Sequence, residues 1–283
     1  MIYVSSASVK NDLISESVRE LAEAGFHNIE LSGGTRDYEY IVRDLFQLKD
    51  NYNLNFLCHN YFPPPKNPFV LNLASLNNQV HNSSMEHLKR AIEFSITLGA
   101  SQFSFHAGFF IDIAINQIGA SITNNELFDP QKAVDRFCES YIKLAKFSGH
   151  LNLYIENNVI SSLNYHYYKG VNPFMLTSAE QYERLKGVID FKLLLDLAHL
   201  KVSSKTLNLD FEEQCKKLLP KTDYVHISDN DALEDKNNEI KESSDLLFIV
   251  GRNIRQSTVL TLEVYDGVDA ITSSYHRLLN VIK

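Results

Sequence analysis

The stretch Asn152-Leu-Tyr-Ile-Glu-Asn157 is a short apolar run that stops on an acid. A run of this composition favours extended chain, and a carboxylate at its end is costly to bury unless it is paired or bound to a cation. The same shape recurs in Leu193-Leu-Leu-Asp196-Leu-Ala-His199, in Tyr224-Val-His226-Ile-Ser-Asp229 and in Leu260-Thr-Leu-Glu263-Val-Tyr265. Glu156, Asp196, His226 and Glu263 lie 40, 30 and 37 residues apart. Each interval is about one strand plus one helix of a parallel barrel, so the four polar ends are expected to meet at one rim.

Outward from these runs, periodicity gives eight strands alternating with amphipathic helices, the pattern of parallel strand-helix-strand units. The predicted strands are Ile2 to Ser5, Asn28 to Ser32, Asn55 to Asn60, Gln102 to His106, Asn152 to Asn157, Lys192 to Asp196, Tyr224 to Ser228 and Val259 to Val264. Helices are expected over Ser15 to Ala24, Tyr38 to Asp50, Ser84 to Leu98, Pro130 to Phe147, Ala179 to Lys186, Phe211 to Leu219, Ser244 to Arg255 and Asp269 to Ile282. Gly25, Gly99 and Gly149 fall just past helix ends, where a left-handed cap is needed. With no linker, repeat or low-complexity segment, the expected fold is α/β, a (β/α)8 TIM barrel formed by residues 1–283 as a single domain; an open doubly wound sheet is the alternative.

The connections are unequal. Those after the third, fourth and fifth strands are long, and include Tyr61-Phe62-Pro63-Pro64-Pro65-Lys66, Gly108 to Asp129 and Val159 to Ser178. The reverse connections, such as Gly25 to His27 and Gly149 to Leu151, are tight. Barrel chemistry sits where strands run into helices, so the long segments are expected to roof a pocket.

Bulk properties narrow the function. Lys plus Arg is 27 against 35 for Asp plus Glu, a net charge of −8 with no basic run. This argues against a protein that holds duplex DNA through its phosphates, since such proteins concentrate positive charge. No stretch approaches the roughly 18 apolar residues of a membrane helix. The N-terminus starts on a strand-like run without the basic and apolar segments of a secretion signal, so a cytoplasmic location is expected. Cys58, Cys138 and Cys215 are too scattered for a Cys-x-x-Cys site and fit reduced packing residues. Gly33-Gly34 lacks the third glycine of a dinucleotide loop, and neither a Walker-type loop nor a Gly-x-Ser-x-Gly turn occurs.

Alternation along a strand sends neighbouring side chains to opposite faces, so Glu156, His226 and Glu263 can face the barrel axis while Ile155, Val225 and Leu262 pack under helices. Taken singly, any one of the acids reads equally as half of an internal ion pair, and Asp196 as the cap of a following turn. Taken together, the four argue for a divalent cation. His59 and His106 end the third and fourth strands and His199 lies three residues beyond Asp196; a lone strand-end histidine is as readily a satisfied polar group as a ligand. By alternation Cys58 points away from His59.

At these residues the chain resembles the xylose isomerase-like barrel superfamily, which joins sugar isomerases and epimerases to endonuclease IV. The resemblance spans almost the whole chain and is carried by Ile155-Glu156-Asn157, Asp196-x-x-His199, His226-x-x-Asp229 and Leu262-Glu263, with Leu71-Asn72-Leu73-Ala74-Ser75 as a weaker echo. It implies that Glu156, Asp196, His226 and Glu263 hold one divalent ion, of manganese, zinc, magnesium or iron. It assigns His59, His106, His199 and Asp229 to a carbohydrate substrate, with Glu156 and Glu263 as acid and base as well as ligands. The implied reaction is isomerisation or epimerisation of a sugar or sugar derivative, by proton transfer through an enediolate held on the ion.

Endonuclease IV-like members hold three zinc ions and also use the positions of His59 and His106, with the third ion on the His199 position and a later Asp-x-His. This chain has Asp235-Lys236-Asn237 there. The three-ion set is therefore incomplete, while a site for one or two ions survives. The alternative activity is hydrolysis of phosphodiesters at abasic sites in DNA; a dehydratase or non-catalytic barrel is a third. Lys66, Lys169 and Lys236 could each meet an anionic group, and a homo-oligomer stays open.

Overall fold

A computed structural model of the chain describes residues 1–117, 122 and 126–282, so part of the long segment Gly108 to Asp129 lies outside the described residues. The strands are β1 (Ile2–Ser5), β2 (Asn28–Leu31), β3 (Asn55–His59), β4 (Gln102–His106), β5 (Asn152–Glu156), β6 (Lys192–Asp196), β7 (Thr222–Ile227) and β8 (Val259–Leu262). They pair in parallel in sequence order and close between β1 and β8, which is the (β/α)8 barrel.

The helices are α1 (Ile14–Glu23), α2 (Ile41–Tyr52), α3 (Asn78–Thr97), α4 (Pro130–Phe147), α5 (Ser162–Tyr167), α6 (Ala179–Lys186), α7 (Leu197–Thr206), α8 (Phe211–Leu218), α9 (Asp245–Asn253) and α10 (Val268–Val281). Two of these differ from the sequence reading outright: α5 falls in a segment read as loop, and α7 follows Asp196 with no connection. α3 begins six residues before the expected Ser84, because the Asn77 side chain accepts the Gln79 N–H and starts the helix in a polar turn that carries little periodicity. No helix among the described residues is long and apolar enough to cross a membrane.

Alternation sorts the strands into two layers. Ile29, Leu31, Phe103, Phe105, Leu153, Ile155, Leu193, Leu195, Val225 and Ile227 face outward and form the core shared with the helices, with Cys58 among them. The inward set starts at the closed end with Tyr3, Leu57, Tyr154, Leu194 and Tyr224, which form a small apolar floor. Two residues further along these five strands the inward positions turn polar: Ser5, His59, Glu156, Asp196 and His226 are all buried, and Glu30 of β2 is buried beside Ser5. The period of two thus stacks a polar layer directly on an apolar one.

The long loops form a second, smaller core of Ile111, Ile122, Ile160, Tyr168 and Phe174 above the strand ends. Two buried asparagines tie these loops to the barrel. Asn72 accepts the N–H of Ala74 and of Phe109 (both 3.0 Å) and donates to the carbonyls of Phe109 and Ile111 (3.1 and 3.0 Å). Asn158 donates to the carbonyls of Ala107, Gly108 and Met175. The backbone passes so close at Gly108 that a Cβ there would lie 2.5 Å from Ala74 Cβ.

Candidate metal centre

Glu156 lies at the middle of the polar layer and is 1% exposed. Its Oε2 is 3.2 Å from His59 Nε2 and 3.2 Å from His106 Nδ1. Its Oε1 faces the other way, 3.6 Å from Nδ1 of both His226 and His199. Glu263 approaches His226 Nδ1 at 3.3 Å from the next strand. Among the described residues the chain gathers three overlapping sets of donor atoms, the atoms of each set lying within 4.8 Å of one another: Glu30, His59 and His226 form one, and the other two are Glu156, Asp196, His226 and Glu263, and His59, His106 and Glu156. Glu156 is common to the last two and turns one oxygen toward each.

The ring orientations are set from behind. His59 Nδ1 contacts the buried Ser104 hydroxyl at 2.9 Å, which leaves Nε2 facing Glu156. His226 presents Nδ1 to the carboxylates and Nε2 to Glu30, 2.9 Å away. Asn157 bridges β5 and β6: its Nδ2 donates to the Asp196 carbonyl (3.0 Å) and its Oδ1 accepts the Asp196 N–H (2.7 Å). Asp196 in turn accepts the His199 N–H at 2.7 Å and so caps α7. His199 is held on both edges, Nδ1 2.9 Å from the Asn157 carbonyl and Nε2 3.2 Å from Asp235.

The charges in this enclosure are unbalanced in a telling way. Burial raises Glu156 well above its ordinary value, and burial, with Asp235 adding to it, pushes Asp196 up to about 6. Burial also acts on Glu263, but His226 outweighs it and holds that carboxyl far below the usual carboxylate range. Against burial, Glu30 and Glu263 raise His226, while Asp196 and Asp235 raise His199. His59 and His106 go down, His106 to about 3, because burial and neighbouring histidines disfavour the charged form.

Whether these donors fit an ion follows from their hydrogen bonds. Both oxygens of Glu156, Asp196 Oδ2, His226 Nδ1 and His106 Nδ1 are buried without a hydrogen bond of good geometry. Buried polar atoms in such number are otherwise satisfied, and three carboxylates with imidazole nitrogens are the donors that divalent manganese, zinc, magnesium or iron accept. The residues fit.

Of the residues singled out from the sequence, Glu156, Asp196, His226, Glu263, His59, His106 and His199 converge. Asp229 does not join them: its carboxylate is 2.8 Å from Lys201, on the flank of α7. The backbone of Asp229 pairs with Asn238, which closes the intervening loop and carries Asp235 to His199. Asn237 accepts the buried Ser228 hydroxyl at 2.8 Å, so its side chain fastens this loop. Lys236 is occupied by Asp231 and Glu234. Glu30 was missed by sequence reasoning, although Ile29-Glu30 repeats the apolar-acid step of Ile155-Glu156, because it lies one position before the end of its strand rather than at it.

A model of the xylose isomerase-like TIM barrel family matches residues 18–252. The chain belongs to this family. Among solved structures it is similar over 99% of its length, and 97% of the other chain, to a D-tagatose 3-epimerase-like protein, with a TM-score of 0.73 at 18% identity. It is similar over its whole length, and 99% of the other chain, to a D-psicose 3-epimerase from Clostridium cellulolyticum solved with D-tagatose (TM-score 0.68, 10% identity). Endonuclease IV from Thermus thermophilus aligns over 99% of this chain and 98% of its own (TM-score 0.63, 13% identity). These likenesses establish the shared fold. No curated protein matches the chain in sequence.

Proposed function

We propose that this barrel is a metal-dependent isomerase or epimerase of a sugar or sugar derivative. The observation that carries the reading is the pair of carboxylates, Glu156 and Glu263, which both face Nδ1 of His226 within one buried donor set. Glu156, Asp196, His226 and Glu263 would hold the ion, which when bound supplies Lewis-acid stabilisation of the oxygen beside the carbon that loses its proton.

The chain's own groups divide the remaining work. Glu263 removes a proton from the carbon next to a carbonyl. Glu156, which faces the same nitrogen of His226, returns one. Asp196 and His226 mainly position the ion. The small core of the loop segments keeps bulk water off the mouth.

Incubation of the metal-loaded protein with a panel of ketoses and keto-acids in D2O tests the reading. Deuterium is expected at the carbon beside the carbonyl of one substrate, and Glu263→Gln is expected to slow the exchange by at least about 100-fold with an unchanged circular dichroism spectrum. An unimpaired variant removes Glu263 from its role.

A second reading, hydrolysis of phosphodiesters at abasic sites, is favoured by one specific observation: the His59, His106 and Glu156 set offers a second position for an ion beside the first. It is opposed by the net charge of −8. Metal-dependent incision of an abasic duplex at turnover rates, with two ions per chain, would reverse the order.

A further inference from the structure

The Nε2 edge of His226 points away from the donor set and into the barrel. There it meets Glu30 at 2.9 Å, and both residues are 0% exposed. Glu30 is fixed in turn, since its other oxygen accepts the Thr261 hydroxyl at 2.9 Å and the register places Thr261 directly beside His226. A carboxylate enclosed at this depth is costly unless it serves a charged or donating partner, and His226 Nε2 is the partner at hand. We infer that Glu30 is a positioning residue: it keeps the N–H of His226 on Nε2, so that the Nδ1 lone pair faces Glu156 and Glu263. The inference rests on the proposed ion at those residues. A histidine that binds a metal through one nitrogen is commonly oriented by a carboxylate on the other, and loss of that carboxylate typically weakens the metal 10- to 100-fold.

The geometry also separates this role from simple packing. In register Glu30 stands beside Ser5 and Leu57, and its carboxylate meets His226 and Thr261. A group kept for orientation lowers ion affinity when removed; a group kept for packing lowers metal-free stability.

The test titrates cobalt(II) into metal-free wild type, Glu30→Gln and Glu30→Leu, reading the Kd, the number of ions bound and the visible cobalt spectrum, with thermal melts of each protein in chelator. The expected result is a Kd raised about 10- to 100-fold in both variants, an altered cobalt spectrum, an unchanged number of ions, and a metal-free melting temperature in Glu30→Gln no lower than wild type. A Kd within twofold of wild type in Glu30→Gln overturns the inference, as does a fall in metal-free melting temperature that accounts for the weaker binding. Loss of one bound ion in the variants also overturns it, because Glu30 would then be a ligand together with His59 and His226. If wild type itself binds no ion, the proposed metal centre fails and the inference with it; if only the variant comparison fails, the metal centre stands.

Discussion

Asp196 uses its two oxygens differently. Oδ1 caps α7 through the His199 N–H, while Oδ2 is buried without a hydrogen bond among the other donors. Asparagine caps a helix as well as aspartate, so Asp196→Asn should keep the cap and remove the enclosed charge. Burial moves the Asp196 carboxyl from 3.8 up to about 6, so the folded metal-free protein binds a proton there more tightly than the unfolded chain, and that group costs stability as pH rises from 3.8 through about 6. In chelator, Asp196→Asn is therefore expected to match wild type below pH 3.8 and to become more stable across that window, by no more than roughly 3 kcal/mol above it. Urea unfolding at several pH values checks this, and a variant less stable at neutral pH would contradict it. The cap formed by Asp196 was readable in the sequence, and so was its place among the candidate ligands. Glu30 was not, because a buried acid in mid-strand looks like any strand residue until its contacts are known.

Among the elements, the β5 to β6 junction sets the site most directly. Asn157 closes two hydrogen bonds on the Asp196 backbone and offers its own carbonyl to His199. Asn157→Ala leaves a buried N–H and C=O of Asp196 unpaired, at roughly 1 to 3 kcal/mol each. A denaturation midpoint shifted by that amount, together with weaker ion binding, is expected; unchanged binding would mean that the junction does not orient Asp196. At the β4 end, Gly108→Ala must displace the Ala74 methyl and is expected to cost at least about 1 kcal/mol, read as a lower melting temperature. The eight strands could be found from the sequence because each couples an apolar outward face to a polar end. The helices α5 and α7 could not: Ser162–Tyr167 is short and polar, and Leu197–Thr206 is buried on most sides and so shows no amphipathic stripe. Asp229, which the resemblance motif His226-x-x-Asp229 places at the substrate, has its carboxylate 2.8 Å from Lys201 because the turn after β7 directs it there.

For the molecule as a whole, the barrel brings residues over a hundred positions apart to one rim, which is the economy of the fold: strands carry the ligands and loops carry the roof. An ion bound only by the folded chain must stabilise it, by about 2.7 kcal/mol at a hundredfold excess over Kd. A melting temperature that rises with divalent metal and falls on chelation is expected, and an indifferent one would contradict the assignment. The net charge of −8 predicts weak binding to intact duplex DNA that vanishes at moderate salt, measurable by fluorescence anisotropy. The central claim is that Glu156, Asp196, His226 and Glu263 surround a divalent ion. Anomalous diffraction from crystals grown with manganese reads this most directly: the account predicts a peak bounded by those four side chains, and a map with no peak there, or with its peak elsewhere on the chain, would contradict it.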